Sequence, residues 1–172
     1  MSDADIATPS LREAGDFRWA GVEVRLYKEE GAAPFKTVSR QTLFSDPRLA
    51  GELRYFEVAP GGYSTLERHE HMHAVMILRG HGEALVGQTV HKLKPHDLVT
   101  IPPWTWHQFR PARGETLGFL CLVNAQRDRP QLPTADEIAA LRSDARIARF
   151  LDAAEAGVAE GERPPAPPKR AG

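Results

Sequence analysis

Apolar and polar residues alternate along much of the first two thirds of this chain, in short runs cut by glycine and proline. From Trp19 to Tyr27, Val22, Val24 and Leu26 alternate with Glu23 and Arg25, which predicts a strand with one wet face. Glu29-Glu30-Gly31 reads as a turn, and Phe35–Phe44 as a second strand ended by Ser45-Asp46-Pro47. Leu53–Val58 is a third strand, and Pro60-Gly61-Gly62 is expected to turn the chain. Ala74–Arg79 is continuously apolar up to its last residue, which predicts a buried strand. Glu83–Val86 and Thr89–Leu93 flank Gly87-Gln88, a tight-hairpin signal. Lys94-Pro95-His96-Asp97 is a turn. Leu98–Ile101, Trp106–Arg110 and Leu117–Val123 complete the series. Short strands spaced in this way predict an all-β sandwich or barrel over residues 16–125.

After Asn124 the pattern changes. Thr134 with Glu137 three residues on is a capping box, so a helix is predicted from about Ala135, with Ile138 and Leu141 inward. Ser143 is the expected cap of a second helix containing Ile147, Phe150 and Leu151 and ending at Gly157. A helical extension over 134–157 is therefore expected to follow the barrel. Residues 1–15 are polar and expected to be loose, and the proline-rich residues 161–172 are expected to be disordered.

Between the third strand and Ala74 lies Leu66-Glu-Arg-His-Glu-His-Met-His73. Glu67, His69, His71 and His73 occupy alternate positions. In an extended chain they share one face, roughly 6.6 Å apart. One face would then carry a carboxylate and up to three imidazoles, the ligand types that hold Fe, Mn, Zn, Ni or Cu. His107 is a further candidate. A helical reading with His69 and His73 one turn apart is disfavoured by the flanking Pro60-Gly61-Gly62 and Gly80-His81-Gly82.

Composition narrows the partners. Lys and Arg number 22 against 23 Asp and Glu, a net charge of −1, so nothing favours nucleic acid or an anionic membrane. The single Cys121 excludes an intramolecular disulfide and lies in an apolar run, as a core residue would. The N-terminus is acidic without an apolar core, and no stretch approaches the ~20 apolar residues of a spanning helix. A cytoplasmic protein is expected.

Residues 52–123 resemble the cupin superfamily. The first cupin motif runs from a Gly through His-x-His and a later Glu to a second Gly, and its counterpart here is Gly61–Gly80. Glu67 falls on the motif's first His, His69 on its second, and His73 on its Glu. The second motif ends in Pro-x-Gly-x-x-His, and the stretch Pro95–His107 places His107 on its last ligand, with His96 in place of a Gly. The resemblance implies a cupin-type double-stranded β-helix, or jelly-roll, barrel. It also implies one divalent metal, Fe(II) first and Mn, Zn, Ni or Cu as alternatives, held by Glu67, His69, His73 and His107. Exchanging a His and a Glu keeps the ligand chemistry, while His71 is the rival ligand.

Pro102-Pro103-Trp104-Thr105-Trp106-His107 is similar to the second motif of gentisate-type ring-cleaving dioxygenases. Trp104, Trp106 and Tyr63 are candidate substrate-pocket residues, with Tyr55 and Arg54 as further polar candidates. The two tryptophans equally suit packing at the barrel mouth. The resemblance implies a metal-dependent dioxygenase acting on a small molecule. Alternatives are a metal-dependent isomerase, lyase or epimerase, or a non-catalytic binding cupin. A homodimer is expected, formed through an open edge at Val22–Leu26 or Val38–Phe44.

Overall fold

The computed structural model describes residues 10–26 and 36–161. Tyr27, the turn at Glu29–Gly31, Phe35, and parts of both terminal segments lie outside these residues. The strands are β1 (Glu13–Gly15), β2 (Arg18–Trp19), β3 (Arg25–Leu26), β4 (Lys36–Ser45), β5 (Gly51–Tyr63) and β6 (His73–Arg79). They continue with β7 (Gly82–Val86), β8 (Thr89–Leu93), β9 (Leu98–Ile101), β10 (His107–Pro111) and β11 (Leu117–Asn124). Helices α1 (Ala135–Arg142) and α2 (Ala145–Gly161) follow.

A six-stranded antiparallel sheet, ordered β3-β4-β5-β11-β6-β9, faces a three-stranded sheet, ordered β10-β7-β8. This is the all-β jelly-roll expected from the sequence. Alternation builds the core. Val38, Phe56, Val58, Val75, Ile77, Phe119 and Cys121 from the large sheet meet Ala84, Leu93 and Phe109 from the small one. The intervening residues point outward. On the small sheet Leu85 and Val90 do so and are covered by Leu141, Ile147, Phe150 and Leu151 of the two helices. The helical extension is thus the lid of the small sheet.

Part of the large sheet's outer face is covered by the β1–β2 hairpin. Phe17 stacks on Tyr55 at 5.6 Å and Trp19 meets it edge-on at 5.0 Å. Glu57 accepts from Tyr55 Oη (3.1 Å) and pairs with Arg79 (2.8 Å) and Arg18 (2.9 Å). Residues 13–15 therefore form structure inside a segment expected to be loose. The predicted strand over Trp19–Tyr27 is interrupted, because Gly21 turns the chain at φ +76°. The remainder of the outer face is bare, so Met76 is 39% exposed while Val75 and Ile77 beside it are fully buried. The apolar run of β6 is half wet rather than wholly buried.

Pro60-Gly61-Gly62 does not end β5. Val58 pairs with Val38 and Tyr63 with Lys36, so four residues bulge opposite the single Thr37. Gly61 takes φ +72° to allow it. A bulge of this kind bends a strand, and here it carries the chain from the large sheet to the small one. Ser64 N–H then donates to Phe109 O at 2.9 Å, alongside β10.

The capping box at Thr134 is present. Asp144, not Ser143, caps α2: its carboxylate accepts from Arg146 N–H at 2.7 Å, while Ser143 closes α1. The helix also runs past Gly157. Of the two strands expected to offer an edge, only β3 does so, since β4 lies between β3 and β5; β9 is the large sheet's other edge among the described residues.

Gly118 shows how tight the outer face is. An added Cβ would overlap Tyr55 Oη and crowd Arg79 Cβ. Gly118→Ala is expected to cost about 2 kcal/mol and to lower the melting temperature by roughly 4–8 °C. Gly61→Ala meets open space and is expected to cost only about 1 kcal/mol, for its left-handed φ. Thermal melts of both variants check the order.

Candidate metal centre

Three imidazoles converge at one end of the barrel. His73 opens β6 on the large sheet, and His107 opens β10 on the small sheet. His69 lies in the connection between Tyr63 and β6. The bulge in β5 brings that connection across. Glu67 and His107 exchange backbone hydrogen bonds at 3.2 and 3.0 Å, and Trp104 N–H donates to His69 O at 2.7 Å. The three rings form a nearly equilateral triangle, with centroids 5.1, 4.8 and 5.0 Å apart. One nitrogen from each ring lies within 4.8 Å of the others.

Each ring is oriented through its Nδ1. That of His69 donates to His71 O (2.7 Å) and that of His107 to Thr105 O (2.9 Å). His73 Nδ1 contacts Cys121 Sγ at 3.3 Å. A ring that donates from Nδ1 carries its lone pair on Nε2, the tautomer a metal requires. His73 Nε2 is enclosed and has no hydrogen-bond partner. A buried polar atom of this kind calls for a partner, and a divalent cation fits. Burial, then the neighbouring imidazoles His107, His69 and His71, push the His73 pKa down to about 2. Burial, then His71, lowers that of His69. His69 and His73 are therefore held in the neutral form that can ligate. Burial pushes the Cys121 thiol up to about 12, so it stays protonated as a packing and positioning group.

The remaining candidates fall out differently. The chain bends at Glu70-His71 instead of continuing as a strand. His71 thus leaves the triad and stacks face to face on His69, with centroids 3.6 Å apart. Its Nδ1 sits 2.6 Å from Asp128 Oδ1. Burial raises the Asp128 carboxyl pKa, but hydrogen bonds from Glu70 N–H and from the ring and N–H of His71 outweigh it and hold the group below the usual range. A second grouping, His69, His71 and Asp128, results. The sequence held no sign of Asp128, which lies 57 residues from His71.

Glu67 is buried beside the triad and side by side with His107, but neither grouping includes it. Tyr63 is buried at the end of β5. Trp104 is 48% exposed, next to His69. Its φ is +57° and that of His96 is +74°. Counting back from His107, the motif's Pro-x-Gly-x-x-His places its Gly at Trp104, so a bulky residue holds a glycine-type conformation there. Trp106 does not line the barrel mouth. Alternation turns it away from His107, onto the helix-covered cluster, with the Arg68 guanidinium 4.4 Å above its ring.

The cupin domain model matches residues 54–123. The chain is 59% identical over 152 residues to 1-methylthio-D-xylulose 5-phosphate methylsulfurylase of Rhodospirillum rubrum, covering 88% of this chain and 97% of that protein. A cupin 2 conserved barrel domain protein from Rhodopseudomonas palustris has a crystal structure with a TM-score of 0.78 at 63% identity, covering 83% of this chain and 98% of that one. A cupin-2 domain protein from Rhodospirillum rubrum has a TM-score of 0.76 at 61% identity, covering 80% and 93%. The fold and these relatives define the class: a cupin barrel with a three-histidine site able to hold a metal ion. This chain belongs to the cupin superfamily, and one relative is named a methylsulfurylase.

Replacing His69, His73 or His107 by Ala is expected to remove most bound metal, since each supplies one inner bond. His71→Ala is expected to retain most of it. Elemental analysis of the four variants, purified without a His tag, checks this. Loss with His71→Ala and retention with His73→Ala would place the metal on the second grouping.

Proposed function

We propose that this chain is a metal-dependent enzyme acting on 1-methylthio-D-xylulose 5-phosphate, as a methylsulfurylase. The observation that carries the reading is 59% identity along 97% of the relative that bears this name. The convergent triad supports it, because the residues fit a metal.

His69, His73 and His107 would hold the ion, with Glu67 as the nearby carboxylate that completes the set. When bound, a divalent metal supplies a Lewis acid for a carbonyl next to the carbon–sulfur bond to be broken. The rest falls to the chain. Nδ1 contacts fix the three rings, and the buried wall excludes water. Trp104, exposed beside His69, would meet the substrate at the mouth; Tyr63, past Val58 on β5, lies toward the opposite end of the barrel.

The dioxygenase reading with Fe(II) uses the same centre, since three imidazoles leave coordination positions for exchangeable ligands. Turnover separates the two. The expected result is transfer of the methylthio group from 1-methylthio-D-xylulose 5-phosphate to an added thiol, giving a mixed disulfide while the carbon it leaves takes a proton, without oxygen uptake and abolished by chelation. Stoichiometric oxygen uptake would instead support the dioxygenase.

The chain is further read as a cytoplasmic homodimer. Among the described residues no helix is long and apolar enough to cross a membrane. Phe44, Met76, Leu98 and Leu122 stay exposed on the outer face of the large sheet, the surface a second copy would cover. Light scattering is expected to give about twice the 19.0 kDa chain mass, and the monomer mass would contradict it.

A further inference from the structure

The segment that joins β11 to α1 crosses the connection that carries His69. Arg68 and Gln131 exchange backbone hydrogen bonds at 3.1 and 2.8 Å. The Arg68 side chain continues the tie, 3.0 Å from Glu137, which also closes the capping box of α1. The connection before β6 is thus strapped to the helical extension.

Asp128 belongs to the same strap and reaches closer to the triad. Its Oδ2 accepts from Glu70 N–H at 2.8 Å, and its Oδ1 from His71 N–H at 3.2 Å and His71 Nδ1 at 2.6 Å. One carboxylate therefore serves two consecutive backbone donors and one ring. Hydrogen bonds to an ionised acceptor are roughly twice as strong as neutral ones, so the bend at Glu70-His71 is firmly set.

Both parts of His71 then act on His69. Its carbonyl accepts from His69 Nδ1 at 2.7 Å. Its ring lies against the His69 ring, with centroids 3.6 Å apart and planes within 3°. This stacking also excludes a shared ion. An imidazole nitrogen offers its lone pair in the ring plane, along a bond of about 2.1 Å, and an ion in the plane of one ring lies well out of the plane of the other. His71 is placed to brace a ligand, not to be one. The braces of the other two rings have different origins. His73 is contacted by Cys121 of β11, and His107 by Thr105 O just before β10.

We propose that Asp128 is a positioning residue of the metal centre: acting through His71, it holds the His69 ring in the orientation and tautomer that present Nε2 to the ion. It takes the part that outer hydrogen-bond partners take in other metal sites, where they fix a ligand ring and its proton. The proposal rests on the metal-dependent reading above and is independent of the substrate.

Two measurements on the full chain without a His tag test it: calorimetric titration with Zn(II), and nitrogen-15 NMR of the metal-free protein. Asp128→Ala is expected to weaken Zn(II) binding about tenfold or more. Asp128→Asn keeps one carbonyl acceptor and should weaken it less. In the spectra of Asp128→Ala, His69 should become a mixture of tautomers while His73 and His107 stay protonated at Nδ1. Arg68→Met is the control for the strap alone, since it loses the Glu137 contact and leaves Asp128 in place. It should melt lower, with Zn(II) affinity and the His69 spectrum of the parent. Parental Zn(II) affinity or a parental His69 spectrum in Asp128→Ala would overturn the proposal. So would an equal change in all three rings, or the same losses in Arg68→Met, because either would mean general loosening. A parent that takes up no Zn(II) would overturn the metal-dependent reading, and the His69 spectrum would then decide the role of Asp128 by itself.

Discussion

Three imidazoles converging at one end of the barrel are the constraint around which this molecule is arranged. Burying polar rings without partners is costly, and the cost rises when their charged forms crowd one another. The protein meets the cost at Nδ1, with two backbone carbonyls and one thiol, and leaves Nε2 of His73 unmatched. Such an arrangement disfavours protonation of His69 and His73 and suits a cation. The carbonyls belong to His71 and Thr105, two residues from the rings they hold. The bends that take His71 out of the triad and lift Trp104 to positive φ are thus the same bends that orient His69 and His107.

The architecture serves that convergence. His73 and His107 begin strands on opposite sheets, so the barrel must close for them to meet. Closure depends on β5 leaving the large sheet at its bulge and running beside β10, where Ser64 and Glu67 bond to it. The outer faces are then protected separately. Helices α1 and α2 cover the small sheet, and the β1–β2 hairpin covers part of the large one through Tyr55, Glu57 and Arg79. What remains uncovered is apolar.

Much of this was legible in the chain. Gly87-Gln88, Lys94–Asp97 and the Thr134 capping box are local signals, and local signals set strand ends, turns and helix starts. His69, His73 and His107 were legible because their spacing matches a known pattern of ligands. The failures share a cause in tertiary structure. Pro60-Gly61-Gly62 has the composition of a turn, yet pairing with β4 keeps it in a strand as a bulge. His71 shares parity with His69 and His73 only if the chain stays extended, and Asp128 draws it elsewhere. Trp106 was read with its neighbours at the mouth, although alternation with His107 places it under the helices. Glu67 matched a ligand position by motif and parity, and it is buried beside the three-ring group.

The fixed tautomer of the three rings is most directly tested by nitrogen-15 NMR of histidine side chains in the metal-free protein at neutral pH. His69, His73 and His107 should each appear as the neutral form protonated at Nδ1, and titration with a divalent metal should perturb Nε2 of all three together. Protonation at Nε2 in any of them, or an imidazolium signal from His73 at that pH, would contradict a site held ready for a metal.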